Sequence, residues 1–141
     1  MSDDEYDDPR NELLYEAIRD GDDATALSIV RGGVDVNGEW IGCTHLQMAS
    51  DYGRVAVVSC LLELGADVNK TAQVSSTPLG AAAYRGHQKV VELLVEVGNA
   101  QLNKQDNDGY TALHLAAVYS YWDCETAKYL VELKVLRAHL H

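Results

Sequence analysis

Thr77-Pro78-Leu79-Gly80-Ala81-Ala82-Ala83-Tyr84-Arg85-Gly86-His87-Gln88-Lys89-Val90-Val91-Glu92-Leu93-Leu94 is the stretch that decides the fold. Thr77 offers a hydroxyl for a helix N-cap, and the fixed φ of Pro78 suits the first helical position. Ala81, Ala82 and Ala83 are small enough to let a neighbouring helix approach closely. Gly86 predicts a tight turn that a residue with a Cβ would resist. Beyond it, Val90, Val91, Leu93 and Leu94 have the spacing of a buried helical face. Gly98 is expected to stop this second helix, and a polar stretch follows.

The same order of events recurs on both sides. Thr44-His45-Leu46 leads into Ala49, Gly53, Val57, Val58, Leu61, Leu62 and Gly65, and Thr111-Ala112-Leu113-His114 leads into Ala116, Ala117 and Leu130. The opening threonines stand 33 and 34 residues apart. Each unit closes on a related segment: Gly33-Val34-Asp35-Val36-Asn37, Gly65-Ala66-Asp67-Val68-Asn69, and the degenerate Gly98-Asn99-Ala100-Gln101-Leu102-Asn103. A fixed period in this range marks a solenoid, whose units bury their apolar faces only against their neighbours. Such proteins work through an extended binding surface, which points away from catalysis.

These units resemble ankyrin repeats, helix pairs with a period of 33 and a Thr-Pro-Leu-His-x-Ala signature. The resemblance covers roughly residues 11 to 133 and rests on motif, period and closing segment together. It implies an all-α solenoid of stacked helix-turn-helix units joined by β-hairpin-like loops. The units divide as an acidic, disordered tail (1–10), an N-terminal capping repeat (11–37), two repeats (38–70 and 71–103), and an irregular repeat with a C-terminal capping helix (104–141). Only the second full unit keeps the proline, Pro78, and only the third keeps the motif histidine, His114. Gln47 and Gly80 take the histidine position elsewhere, and Ser120 stands where a turn glycine belongs. By resemblance, His87 in the Gly-His turn and His114 beside Thr111 are structural hydrogen-bonding groups.

Both ends read as caps. Leu13, Leu14, Ala17 and Ile18, then Ala26, Leu27, Ile29 and Val30, give a helix pair around Gly21-Asp22-Asp23, with Glu12, Glu16, Arg19 and Asp20 outward. A terminal repeat must keep one side wet. At the other end Lys134 replaces the closing glycine, and Leu130, Leu133, Leu136 and Leu140 continue at helical spacing. Lys134, Arg137 and His139 then fall near a helix C-terminus, where cations are mildly favourable.

The composition agrees. A chain of 141 residues with 47% hydrophobic content is long enough for one domain with a continuous core. No apolar run approaches the ~18 residues of a membrane span, and no charged-then-apolar leader opens the chain. Cys43, Cys60 and Cys124 have no paired spacing, which points to a reducing, intracellular compartment, cytoplasmic or nuclear. The formal net charge is −11, and Asp3, Asp4, Glu5, Asp7 and Asp8 stand against Arg10 in the first ten residues. No run of Lys and Arg is present to neutralise phosphates, so nucleic acid is not an expected partner, nor is a membrane.

Cys43 and His45 invite a metal or nucleophile reading, but no Cys-x-x-Cys pair or second ligand cluster supports it. Cys43 reads as a loop cysteine, and His45 stands where the repeat has proline. Gly32-Gly33 ends a helix, so it is not a phosphate loop. No cofactor and no catalytic set is expected. The rivals are an enzyme or metal protein on this scaffold and an engineered binder; the eroded motifs and free cysteines favour a natural sequence over the latter.

The resemblance instead places partner contacts on loop tips and exposed inner-helix ends. Carried over, these positions hold Trp40, Ile41, Cys43, Asp51 and Tyr52 in the first full repeat. The second has Gln73, Val74, Ser76, Tyr84 and Arg85, and the third Asn107, Asp108, Tyr110, Val118 and Tyr119. Five of the ten aromatics fall in this set, and the chain has no Phe. Trp and Tyr combine large apolar area with a polar tip, as binding anchors do. The expectation is a non-enzymatic adaptor, inhibitor or targeting subunit, monomeric when free, that holds a protein with a basic or mixed basic–apolar surface. Asn69 also resembles the loop asparagines that asparaginyl hydroxylases modify, beside its plainer role of bracing a tight loop.

Overall fold

A computed structural model describes residues 8–119 and 124–139, apart from the side chain of Tyr119. Of the expected tail (1–10), residues 1–7 lie outside what is described, as do Ser120, the segment around Trp122, Leu140 and the Tyr119 side chain; residues 8–10 are not a disordered tail, because Asp8 caps a helix that begins at Pro9 and accepts from Arg10 N at 3.0 Å. The described residues form four helix pairs: α1 (Pro9–Asp20) with α2 (Asp23–Arg31), α3 (His45–Tyr52) with α4 (Val55–Glu63), α5 (Pro78–Arg85) with α6 (Gln88–Glu96), and α7 (Ala112–Tyr119) with α8 (Glu125–Ala138). Between the first two pairs, β1 (Glu39–Trp40) and β2 (Cys43–Thr44) make a two-residue antiparallel ladder. Helices α1, α3, α5 and α7 pack in series as an inner layer, and α2, α4, α6 and α8 as an outer one. This is the all-α solenoid that the period predicts.

The opening threonines cap as their chemistry requires. Thr77 Oγ1 accepts from Gly80 N at 2.9 Å. Thr44 forms a full capping box: its hydroxyl accepts from Gln47 N, and Gln47 Oε1 accepts from Thr44 N at 2.7 Å. Thr111 repeats the arrangement with histidine: its Oγ1 accepts from His114 N at 3.4 Å, and its N donates to His114 Nδ1 at 3.1 Å. Gln47 therefore does the motif histidine's work, and its amide also donates to Val74 O and Ser76 O in the next loop, at 2.9 and 2.6 Å.

The turn between inner and outer helices is where successive pairs lock. Gly21, Gly53 and Gly86 all hold left-handed φ, between 73° and 76°. The residue after each of the last two reaches back to cap the preceding inner helix. Arg54 Nε donates to Ile18 O at 2.6 Å, and His87 Nε2 donates to Asp51 O at 2.9 Å. The imidazole lies flat on Gly53, where a Cβ would stand 2.7 Å from His87 Nδ1. Glycine is thus needed at 53 twice over, for its φ and for this contact.

The core runs unbroken from Leu14 and Ile18 through Leu46, Val57, Leu61, Leu79, Val90 and Leu94 to Leu130, each essentially closed to solvent. Several expectations need correction. Leu13 is 52% exposed, because it sits about 100° round the helix from Leu14. Leu62 and Leu93, flanking Leu61 and Leu94 in the same way, are only half-buried. Gly98 does not make the left-handed turn after α6; Asn99 does, at φ 56°. Gly98 serves close approach instead, since a Cβ there would come within 3.0 Å of Leu94 O, Val68 and Leu62. On α8, Leu130 is buried and Leu133 half-buried, but Val131, Val135 and Leu136 are exposed, an apolar face where a polar cap is expected.

His45 is the largest departure from the sequence reading. It is fully buried, with Nε2 at 3.0 Å from Asn11 Oδ1 and, among the described residues, no partner for Nδ1. It fastens the first helix pair to the hairpin. Burial is the main cause holding its pKa down to about 4, only partly offset by Asp35 and Asp8.

Two measurements follow from this packing. Leu94→Ala should lower stability by ~2–5 kcal/mol in urea unfolding, and Leu93→Ala by clearly less. Equal losses would mean the helix face is misplaced. For His45, the unfolded chain takes up a proton below about pH 6.5 and the folded one only near 4. Stability is therefore whole above 6.5 and falls as the pH drops from 6.5 towards 4, by up to ~3 kcal/mol. Urea midpoints across that window should flatten in His45→Gln; an unchanged slope would assign the dependence to other groups.

Candidate functional site

Three loops between helix pairs stand as fingers beside the inner helices, and hydrogen bonds join them in series. In the first, Ile41 and Gly42 turn the hairpin at φ 54° and 75°. This two-residue turn with both φ positive is normally made by Asn-Gly. A β-branched isoleucine there is strained by ~1–2 kcal/mol, yet its side chain is held out 71% exposed. In the second finger Val74 N donates to Gly42 O at 3.0 Å. In the third, Asp106 Oδ1 accepts from Asp108 N and Tyr110 N, both at 2.9 Å, and Asn107 N donates to Ser75 Oγ at 3.2 Å.

Fingers and inner helices enclose a groove of about 560 Å³. Ile41, Val74 and Tyr110 line it from the fingers, and Tyr52 and Tyr84 from the ends of α3 and α5. Asp51 and Asp108 supply carboxylates, and Cys43 and Ser76 complete the part that the sequence pointed to. Tyr15, Gln47, Met48, Ala81, Leu115 and Asp106 line it too, and sequence reasoning missed them. Tyr15 lies in the capping pair, which lacks the repeat motif. The others occupy framework positions that read as packing.

Five expected contacts are placed elsewhere. Trp40 is half-buried in β1 opposite Cys43 and does not line the groove. Gln73 lies against Gly42, and Asn107 is taken up with Ser75. Arg85 turns back across the repeats: its Nε is 3.1 Å from Asp51 Oδ1, and its guanidinium lies 5.4 Å from the centre of the Tyr84 ring. Asp51 is therefore ion-paired rather than a free acid at the rim. Val118 is 57% exposed but away from the groove.

Burial, then Asp51 and Glu39, pushes the Cys43 thiol up, so it stays protonated and is a poor nucleophile. His45, its sequence neighbour, is enclosed with Asn11 and does not share the groove. Burial, then Tyr15, raises the Tyr52 phenol, which remains a neutral donor. Among the described residues no three His, Cys, Asp or Glu side chains are grouped to hold a metal ion, and no helix is long and apolar enough to cross a membrane. Folding brings Lys104 of the closing loop to Lys134 and Arg137 of α8, and the three line a second cleft. On the closing loops, Asn69 Oδ1 accepts from Gln101 N at 3.1 Å, as Asn37 Oδ1 accepts from Asp67 N at 2.7 Å.

Comparison with known proteins agrees with this geometry. Residues 70–138 match the profile described as ankyrin repeats (3 copies), and residues 42–73 match that of the single ankyrin repeat. Mouse Rabankyrin-5 is 32% identical over 120 residues, covering 76% of this chain and 10% of its own length. Ankyrin repeat and SOCS box protein 11 of Pongo abelii is 37% identical over 106 residues, 74% of this chain and 32% of that protein. The E3 ubiquitin-protein ligase Ufd4 of Drosophila melanogaster is 39% identical over 105 residues, 73% of this chain and 4% of the ligase. The chain thus spans only a tenth of the length of Rabankyrin-5 and a third or less of the other two. Ankyrin repeats are in general protein-interaction modules. Period, helix pairing, finger loops and sequence similarity agree, and the chain belongs to the ankyrin-repeat family.

Proposed function

We propose that this chain is a non-enzymatic interaction module that holds a partner protein in the groove between fingers and inner helices, as an adaptor, inhibitor or targeting subunit. The observation that carries this reading is the lining itself: four tyrosines, three aspartates and outward-held Ile41 and Val74 around one cavity. Tyrosines of this kind bury area at small conformational cost, and a ring of carboxylates favours a basic or mixed basic–apolar partner. With a net charge of −11, neither nucleic acid nor an anionic membrane surface suits the molecule as a whole. Three free cysteines, one of them buried, suit an intracellular setting, cytoplasmic or nuclear. The free chain is read as a monomer.

The partner-binding positions in this reading are Ile41, Tyr52, Val74, Tyr84, Asp108 and Tyr110, with Trp40, Asp51, Gln73, Arg85 and Asn107 at the margin and Tyr119 kept on the repeat pattern alone. Affinity capture, followed by surface plasmon resonance on the captured protein, tests it. Tyr84→Ala or Tyr110→Ala should each weaken binding by about 1–4 kcal/mol, mainly through faster dissociation. Trp40→Ala should do less. Removing residues 1–7, which leaves the Asp8 cap and α1 intact, should slow association modestly and weaken its salt dependence, with dissociation nearly unchanged. Partner binding that survives both tyrosine substitutions, but fails on changes to the outer helices, would move the interface away from the groove.

Asn69 is a proposed modification site beside this role. Its Oδ1 braces the next closing loop, so hydroxylation at its Cβ would add to an existing bracket. Peptide mass spectrometry on protein from a eukaryotic host should show a gain of one oxygen on Asn69; an unmodified peptide would leave it a structural asparagine.

A further inference from the structure

The tyrosines of the inner face share a feature that groove shape alone does not require. Arg19 lies 5.5 Å from the centre of the Tyr15 ring, Arg54 5.7 Å from that of Tyr52, and Arg85 5.4 Å from that of Tyr84. Arg85 also pairs with Asp51 at 3.1 Å. The first three helix pairs thus each set one of the chain's own guanidinium groups on a tyrosine, and in one case a carboxylate completes the arrangement. Tyr110, on the third finger, departs from the pattern. It meets His114 edge-on, with ring centres 6.1 Å apart at 62°, and among the described residues no arginine lies over it. Asp108, two residues away, has no ion pair and no side-chain hydrogen bond among the described residues. Asp106 adds a second carboxylate, one oxygen of which is held by backbone N–H groups.

We propose that the third-finger end of the groove reads an arginine of the partner protein: the guanidinium lies on Tyr110, pairs with Asp108 beside it, and reaches the site along the apolar wall of Val74. An arginine fits better than a lysine for reasons of shape. Its planar, weakly hydrated group both stacks on a ring and forks a carboxylate, whereas an ammonium is a compact, strongly hydrated point charge. Val74, 45% exposed, gives the arginine's methylene stem a surface to cover. The chain's acidity brings such a segment in, and Arg85 on Tyr84 and Asp51 shows that these residue types hold a guanidinium here. The inference rests on the groove being the partner face and names what that face selects.

The test uses the full chain and a short synthetic peptide with one arginine between valines, beside its lysine, citrulline and leucine counterparts. Amide chemical-shift titration locates and measures binding. The arginine peptide should shift signals of Asp106 to Tyr110 and of Val74, and bind about tenfold tighter than the lysine and citrulline peptides. Asp108→Asn and Tyr110→Ala should each remove that preference while leaving the circular dichroism unchanged. Citrulline keeps the shape and loses the charge, so equal binding of citrulline and arginine would overturn the proposal, as would equal binding of leucine or shifts confined to another surface. The two readings can fail separately. A captured partner that needs Tyr84 and Tyr110 but binds equally after its own arginines are replaced keeps the groove and sinks the arginine. A partner indifferent to both tyrosines sinks the two together.

Discussion

Each helix pair in this chain has an apolar side that it cannot bury alone. Leu46, Leu61, Leu79 and Leu94 are closed to solvent only because the pairs before and after them press from both directions. Everything else about the molecule follows from that stacking. Stability becomes a chain of neighbour interfaces, so a loss at one layer is felt by the layers that flank it. The spacing of the fingers is fixed by the same contacts, because each finger is tied to the helix pair that carries it.

Polar groups set the register of the stack. Hydrophobic burial is non-directional and would tolerate some sliding between layers. The Arg54 and His87 caps on the preceding inner helices forbid it, as do the Gln47 amide and the Asn37 and Asn69 brackets. Each satisfies backbone groups that would otherwise sit unpaired at a helix end or a loop. The buried His45–Asn11 contact does the same for the first pair, at the cost of an imidazole nitrogen with no partner among the described residues. That cost gives the fold a titration sensitivity that a proline at the same position would lack.

The groove exists because the fingers stand in series. Ile41 is held outward in a strained turn, and Gly42, Val74, Ser75 and Asn107 link finger to finger. Tyrosines from different repeats then line one cavity together with the Asp106 and Asp108 carboxylates of the third finger. Self-pairing of Arg85 with Asp51 and Tyr84 settles part of this surface internally and leaves the third-finger end as its more open acidic part.

The helix pairs, their order and their caps were legible in the sequence, because these depend on neighbours in the chain. A threonine reaches the backbone three residues on, a glycine relieves its own φ, and apolar periodicity needs no distant partner to be read. The sequence also marked Tyr52, Tyr84, Asp108 and Tyr110, since their place in the repeat pattern puts them on tips and helix ends. Contacts across the repeats emerged only once the helix pairs were stacked. His45 read only as the residue at the repeat's proline position, because its partner Asn11 is 34 positions away. Arg85 read as a free contact, although Asp51 holds it from the neighbouring repeat. Trp40 read as an anchor, yet the hairpin sets it outside the groove, while Tyr15, Met48 and Leu115 enter it from positions that spacing assigns to packing. Lys104 met Lys134 and Arg137 only through the closing loop and α8. Spacing along a chain fixes which face of a helix a residue occupies; what comes to lie against that face is set by stacking.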